Sequence, residues 1–226
     1  MIFVPTVQHT GTWFTLEFLK KIIDGSNLYE AKTLCYEMPE ITRPAIVHAH
    51  FPTPETKLKQ PLSVEAIRTL VCLYPTVIPI RNPMLSILTG MARAPHQRQF
   101  YIVDGFVELS KWYKYSNVCL LPIDSPGSQQ DILGKVAAHV GVTDKEDVIR
   151  EVASAWIPVN STPGLWKRLY QEGKYEILFQ LLGPKIAEVQ YLFNMHGAID
   201  PMMRDAGYDD IWDWVSTFKN VCGYQA

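Results

Sequence analysis

The stretch Ile2-Phe3-Val4-Pro5-Thr6-Val7-Gln8-His9-Thr10-Gly11-Thr12-Trp13-Phe14 decides the fold. Ile2-Phe3-Val4 is a short apolar run that reads as a strand. Phe14, Phe18, Leu19, Ile22 and Ile23 then recur at helical spacing until Gly25 stops the helix. Between them lies Gln8-His9-Thr10-Gly11-Thr12, a tight loop with a glycine. A strand, such a loop and a helix N-terminus form a ready anion cradle. Free backbone N–H groups and the helix dipole both favour phosphate or sulfate there. Thr10 and Thr12 add hydroxyl donors. The loop lacks the second glycine and the Gly-Lys-Ser/Thr ending of a Walker A sequence. A plain strand-to-helix turn with a Thr cap is the other reading of this stretch alone.

Moving outward, the first half alternates short apolar runs with amphipathic stretches, the pattern of an α/β domain with a parallel sheet. Ala45 to His50 and Thr76 to Ile80 read as the second and third strands, and Val118 to Leu121 as the fourth. Ser63 caps a helix carrying Ala66, Ile67, Leu70 and Val71. Asn82 caps another, with Pro83 at its favoured first position. A helix runs from about Gln99 to Tyr115. The second half reads as helical. Ser125-Pro126 opens a helix through Val140 that Gly141 ends, and Thr143 with Glu146 forms a capping box. Later helical stretches carry Leu165/Leu169, Ile177 to Leu182 and Ile186 to Phe193, divided by Pro184, with a Trp-rich closing helix over Asp209 to Val221.

Two further stretches carry chemistry. In Ile80-Arg81-Asn82-Pro83-Met84-Leu85-Ser86-Ile87-Leu88-Thr89, Arg81 sits at the carboxyl end of a strand, the edge at which open parallel sheets bind ligands. Ser86 and Thr89 share one face of the helix that follows. A guanidinium fork beside helix hydroxyls suits a phosphate; a structural salt bridge with back-bonded hydroxyls is the alternative. In Val47-His48-Ala49-His50-Phe51-Pro52, strand alternation puts His48 and His50 on one side. His-x-His can bind a metal, but no Asp, Glu or Cys at suitable spacing completes a set. A neutral imidazole suits a general base acting on a hydroxyl, and a satisfied core histidine is the plain alternative.

Composition narrows the classes. With 226 residues, 47% apolar and 19% charged, the chain can build a sizeable core, which excludes wholesale disorder. We expect a single domain over 1–226, with the binding motifs in 1–142 and a helical cover over 143–226. Lys+Arg at 21 against Asp+Glu at 23 gives no basic field for nucleic acid. No run approaches the ~20 apolar residues of a membrane span. Cys35, Cys72, Cys119 and Cys222 include no zinc-type pair and read as reduced, buried thiols in a cytosolic setting, so a cytoplasmic location is expected.

Taken jointly, the three stretches resemble the sulfotransferase family that uses 3'-phosphoadenosine 5'-phosphosulfate (PAPS). The resemblance implies a P-loop-type three-layer α/β sandwich with a central parallel sheet and a mostly helical C-terminal half. The family's first loop, Pro-Lys-Ser/Thr-Gly-Thr/Ser-Thr, holds the 5'-phosphosulfate; the matching residues are His9, Thr10, Gly11, Thr12, Trp13 and Phe14. Its Arg-Asn/Asp-Pro motif with a helix hydroxyl holds the 3'-phosphate. Arg81-Asn82-Pro83 matches, with Thr89 eight residues after Arg81 and Ser86 as the alternative hydroxyl. A Lys-Thr-His-Leu-Pro-like stretch carries the family's base, and His48-Ala49-His50-Phe51-Pro52 puts His50 there. Leu121-Pro122-Ile123-Asp124 and the helix after it resemble the post-strand segment of bacterial members. The motif-bearing match covers roughly residues 1–142.

The sequence also departs from that pattern. With Gly11 as anchor the family's loop Lys falls on His9, which in protonated form can contact the bridging oxygen, and Phe14 takes the adenine-stacking place. Sliding by one residue puts Gln8 at the Lys site and Trp13 at the aromatic. His48 stands where a Lys is common, and no Arg-Lys-Gly motif lies near the C-terminus. The resemblance implies PAPS as donor, adenosine 3',5'-bisphosphate as leaving product, no metal, and a hydroxyl or amine acceptor on a small molecule or glycan. Residues 52–60 and 94–99 are polar loops placed to border the acceptor. Two rivals stand beside it: a nucleotide- or anion-binding protein on the same scaffold, and a P-loop kinase. The absent Gly-Lys-Ser/Thr and the absent Asp-rich magnesium strand oppose the kinase.

Overall fold

Every residue of the opening strand is buried, and its neighbours lie on both sides. The structure, a computed structural model, describes residues 1–30, 44–50, 63–93, 100–124, 128–156 and 186–208, with isolated residues between 169 and 180. In chain order the elements are β1 (Ile2–Thr6), α1 (Thr12–Ile22), β2 (Asn27–Glu30), β3 (Ala45–His50), α2 (Val64–Leu73), β4 (Thr76–Ile80), α3 (Pro83–Arg93) and α4 (Phe100–Trp112). They continue with β5 (Val118–Pro122), α5 (Gln129–His139), α6 (Glu146–Ser154), α7 (Ile186–Asn194) and α8 (His196–Asp205). The five strands are parallel, in the order β2-β3-β1-β4-β5.

Alternation along β1 sends Ile2 and Val4 to one face and Phe3 to the other. The first face meets Leu16, Phe18, Leu19 and Ile22 of α1, with Leu133, Val136, Ile149 and Val152 of α5 and α6. The second meets Ile67 and Val71 of α2, Met84 and Ile87 of α3, and Ile102, Phe106 and Leu109 of α4. Leu192, Ile199, Met202 and Met203 of α7 and α8 extend that second cluster. The molecule is therefore an α/β sandwich of three layers. Phe3 is wholly buried between the sheet and its second layer, so truncating it to Ala costs about 3–5 kcal/mol.

The seam between β1 and β4 has its own character. Phe3 N–H donates to the Pro75 carbonyl (2.9 Å), so odd residues of β1 face β4. Pro5 faces the same way and has no N–H. Thr76 N–H donates outward to Asn117 (2.8 Å), so Pro79, of opposite parity, faces β1, again with no N–H. Both prolines remove donors from the same seam, and paired register there is confined to Phe3 with Thr76. The other ladders run on to the strand ends, with Thr6 opposite His50 and Ile80 opposite Pro122.

The structure adds to and corrects the sequence expectations. β2 is a fifth strand, a four-residue edge with two exposed ends, too short and polar to stand out as an apolar run. α5 opens at Gln129, capped by the Ser128 hydroxyl accepting from Asp131 N–H (3.4 Å), in place of Ser125-Pro126. α6 starts after Lys145 with no side-chain cap, so Thr143 and Glu146 form no capping box; Thr143 lies too far outside the helix. α8 was not anticipated: Gly197 and Pro201 obscured the helical spacing of Ile199, Met202, Met203 and Ala206. Cys72 is exposed and Cys119 half-buried, both free thiols, so burial does not hold for Cys72. Cys35, Cys222, Pro126, Leu165, Pro184 and residues 209–221 lie outside the described residues.

Candidate active site

Three neighbouring strands, β3, β1 and β4, end side by side, and the residues singled out from sequence gather at or near those ends. β1 runs into a loop whose backbone is left-handed at two positions, His9 (φ 66°) and Gly11 (φ 93°). Loops of this kind turn backbone N–H groups into a concavity that suits an anion. Gly11 is required twice over. Its φ is unfavourable for side chains, and a Cβ would stand 2.7 Å from Ile123 Cγ1, just past β5. Gly11 then caps α1, whose first turn has no acidic side chain to offset the dipole. The loop is braced from the other face: Tyr101 of α4 donates to Gln8 Oε1 (2.8 Å), and Gly105 leaves room for Val7.

The loop hydroxyls differ in what they have left to give. Thr10 is buried and donates to the Val7 carbonyl (2.8 Å), so its proton is spent inside the loop. Thr12 begins α1 and is buried at the 8% level. Next to it Trp13 stands 69% exposed. Phe14 turns inward and packs on Trp156, with ring centroids 4.4 Å apart.

His50 ends β3 half-buried, and its Nδ1 lies 2.9 Å from the hydroxyl of Thr6, its register partner on β1. His48 is buried two residues back, its ring edge-on to that of His50 with centroids 5.9 Å apart. Among the described residues no cluster of three or more His, Cys, Asp or Glu could hold a metal ion.

Arg81, one residue past β4, is buried and heavily engaged. Its Nε donates to Asp124 Oδ2 (3.2 Å), and its Nη1 donates to Thr89 Oγ1 (3.2 Å) and the His9 carbonyl (3.4 Å). That last bond joins the two loops directly. Asn82 places Oδ1 to accept from Met84 N–H (3.0 Å), the expected cap, and gives its own N–H to Asp124 Oδ1 (3.3 Å). Thr89 passes its proton to the Leu85 carbonyl (2.7 Å). Ser86 is wholly buried, and among the described residues its hydroxyl has no partner.

Sequence reasoning left two members of this cluster unassigned. Asp124 sits two residues past β5, beside Arg81 because β4 and β5 pair in parallel. An acidic residue just beyond a strand next to a strand that ends in Arg was the readable signal. Tyr208, beyond α8, donates its hydroxyl to Asp124 Oδ1, lies 3.2 Å from the Ile80 carbonyl, and receives Asp124 N–H (3.3 Å). Burial, and then the Asp124 charge, push its phenol well above the ordinary tyrosine range. No local sequence signal marks Tyr208.

The fold has a solved counterpart. A mouse sulfotransferase, SULT7A1, determined in complex with PAP, superposes with a TM-score of 0.51 at 14% identity, over 69% of this chain. The chain spans 62% of that protein. No protein-family model matches the sequence, and no curated protein matches it. No described helix is long and apolar enough to cross a membrane. The likeness to the mouse enzyme is one of fold: a parallel α/β sheet arranged like that of the P-loop-type sulfotransferases.

Proposed function

We propose that this chain is a single-domain sulfotransferase that moves a sulfuryl group from PAPS to a hydroxyl or amine of a small molecule or glycan, with His50 as the general base. One observation carries the reading. The opening loop, His50 and Arg81 meet at the carboxyl edge of three adjacent strands, linked by the Thr6–His50 and Arg81–His9 contacts. That edge of a parallel sheet is where nucleotide ligands bind. The mouse neighbour was solved with PAP, the product such a donor leaves, which agrees with the reading.

The residues present fit an adenosine compound with phosphate at both ends. The left-handed loop and the α1 N-terminus suit the 5' end. Arg81 with Thr89 and the Ser86 hydroxyl, which has no partner among the described residues, suits the 3' end. Exposed Trp13 offers a stacking face for the base, whereas Phe14 is committed to Trp156. When bound, the donor supplies an activated sulfuryl group. His50 takes the proton of the acceptor as that oxygen or nitrogen attacks. His9, when protonated, and the α1 N-terminus oppose the charge that develops opposite the acceptor. Catalysis is then chiefly positioning and charge stabilisation.

The binding-protein reading has a specific observation in its favour: Arg81 is already paired with Asp124, and His9 replaces the expected Lys, which leaves the cradle with little net positive charge. The test has two stages. Thermal stabilisation by adenosine 3',5'-bisphosphate is expected to exceed that by AMP or ATP; a preference for ATP supports the kinase rival. Sulfuryl transfer to a panel of acceptors is expected to fall at least about 100-fold in His50→Ala. Near-normal turnover in that variant rejects the base assignment. Tight bisphosphate binding with no transfer to any acceptor favours the binding protein.

A further inference from the structure

We infer that Tyr208 is a positioning residue that holds the Asp124 carboxylate to a one-oxygen grip on Arg81 and so keeps Nη2 of that guanidinium open to a ligand anion. The identity of that anion as a 3'-phosphate rests on the reading of the site given above. Arg81 spends Nε on Asp124 Oδ2 (3.2 Å) and Nη1 on Thr89 Oγ1 and the His9 carbonyl. Among the described residues, Nη2 has no hydrogen-bond partner. Nε and Nη2 share one edge of the guanidinium, the edge that a carboxylate ordinarily grips with both oxygens. Asp124 grips it with one. Its other oxygen, Oδ1, is occupied by the Tyr208 hydroxyl and by Asn82 N–H (3.3 Å).

The phenol proton has one good destination. The Ile80 carbonyl, 3.2 Å from the hydroxyl, already accepts Ile123 N–H (2.8 Å). Asp124 Oδ1 is nearer and charged, and charged acceptors make the stronger bonds. The hydroxyl in turn accepts Asp124 N–H (3.3 Å), so side chain and backbone of Asp124 close on the same oxygen. Tyr208 is itself held in place. It is buried, and it follows α8 through a left-handed Gly207 (φ 84°). Gly207 N–H donates to the Arg204 carbonyl (2.8 Å) and Tyr208 N–H to that of Met203 (2.9 Å), the paired bonds of a Schellman cap. The cap fixes where the chain leaves the helix, and with it the approach of the ring to the ends of β4 and β5. Without the hydroxyl, Oδ1 loses its closest donor, and an unmade hydrogen bond at a buried carboxylate is costly. Nη2, on the edge that Asp124 already holds, is the replacement. The carboxylate then rotates onto both nitrogens and withdraws the one that the ligand needs.

The first arm of the test needs no ligand. Side-chain proton–nitrogen spectra of protein labelled with nitrogen-15 at arginine report on Nη2, and the Arg81 signals are identified by their loss in Arg81→Lys. In the native chain the two Nη2 protons are expected to give one averaged signal, because no described group clamps that nitrogen. In Tyr208→Phe, which keeps the ring and loses only the hydroxyl, they are expected to split into two. The second arm compares ligands by calorimetric titration. Tyr208→Phe is expected to weaken adenosine 3',5'-bisphosphate about tenfold or more, the usual worth of a hydrogen bond to a charged group. AMP, which carries only the 5'-phosphate, is expected to bind as before. In an Asp124→Asn background the same substitution is expected to leave the ratio of the two affinities unaltered. An averaged Nη2 signal that persists in folded Tyr208→Phe overturns the inference, as does an equal loss for bisphosphate and AMP, which marks a merely structural tyrosine. If Tyr208→Phe does not fold, the native spectrum decides: two Nη2 signals there overturn the inference, and one supports it. Split signals in Tyr208→Phe, with no native preference for bisphosphate over AMP, overturn the 3'-phosphate reading and leave the role of Tyr208 standing.

Discussion

Arg81 Nε meets Asp124 Oδ2 at 3.2 Å, with both side chains almost out of reach of water at 9% and 13% exposure. The pair bridges the ends of β4 and β5, and Asn82 N–H and the Tyr208 hydroxyl converge on the same carboxylate. The guanidinium proposed to meet a phosphate is thus already charge-compensated. Removing one partner of a buried pair leaves the other uncompensated, at about 3–5 kcal/mol. Asp124→Ala is expected to lower unfolding free energy by that order in urea titrations. It is also expected to gain more thermal stabilisation from adenosine 3',5'-bisphosphate than the native chain does, because the phosphate then supplies the missing anion. An equal gain in both chains places the phosphate away from Arg81.

Gly11 combines a left-handed backbone with contact against Ile123. Gly11→Ala is expected to destabilise by about 1–3 kcal/mol, the usual cost of such a position. The Ile123 atoms that would clash belong to a side chain, so Ile123→Val together with Gly11→Ala is expected to recover part of the crowding and none of the φ cost. Denaturant midpoints of the single and double variants separate the two contributions.

Trp13 and Phe14 are adjacent in sequence and opposite in environment. Trp13→Ala is expected to leave the melting temperature nearly unchanged and to weaken bisphosphate binding by about 1–3 kcal/mol, the usual worth of a stacked base. Phe14→Ala, at a half-buried position, is expected to cost about 1–3 kcal/mol of stability, less than a full core truncation, through its lost packing on Trp156. Calorimetric titration and thermal melts distinguish them. Binding unaffected by Trp13→Ala removes the stacking assignment.

Two phenols carry an alkaline limit. A hydrogen bond to Asp104 (2.7 Å), with burial next, pushes Tyr191 up to about 12, and burial pushes Tyr208 well above its ordinary range. In the unfolded chain both lose protons near the ordinary value of about 10. Their contribution to stability is therefore full below pH ~10 and is lost as pH rises through the folded values. Stability is expected to fall between about pH 10 and 12, less steeply in Tyr191→Phe. Ultraviolet titration of phenolate absorbance in native and denatured protein checks it; coincident curves exclude the effect.

Much of the architecture was legible because its signals are local. Apolar runs marked β1, β3, β4 and β5, Ser63 and Asn82 marked helix starts, and both caps form as hydrogen bonds. The placement of Arg81 followed from strand ends alone. Its partner did not, because Asp124 reaches Arg81 only through the pairing of β4 with β5. Thr6 escaped for the same reason: a strand threonine has no visible meaning until β3 is known to lie alongside in that register. Tyr208 arrives from a helix that Gly197 and Pro201 hid. The loops expected to border the acceptor, at 52–60 and 94–99, fall outside the described residues.

Pro5 and Pro79 divide the sheet into two ribbons, β2-β3-β1 and β4-β5, each with its own continuous ladder. The junction between them has fewer backbone donors than the other seams, and it runs under the rim where the opening loop meets Arg81. Mechanical or thermal stress should accordingly split the protein down this midline. The two halves of the rim would separate while each ribbon still gives the spectroscopic signature of intact strands, so the proposed site would come apart before visible melting.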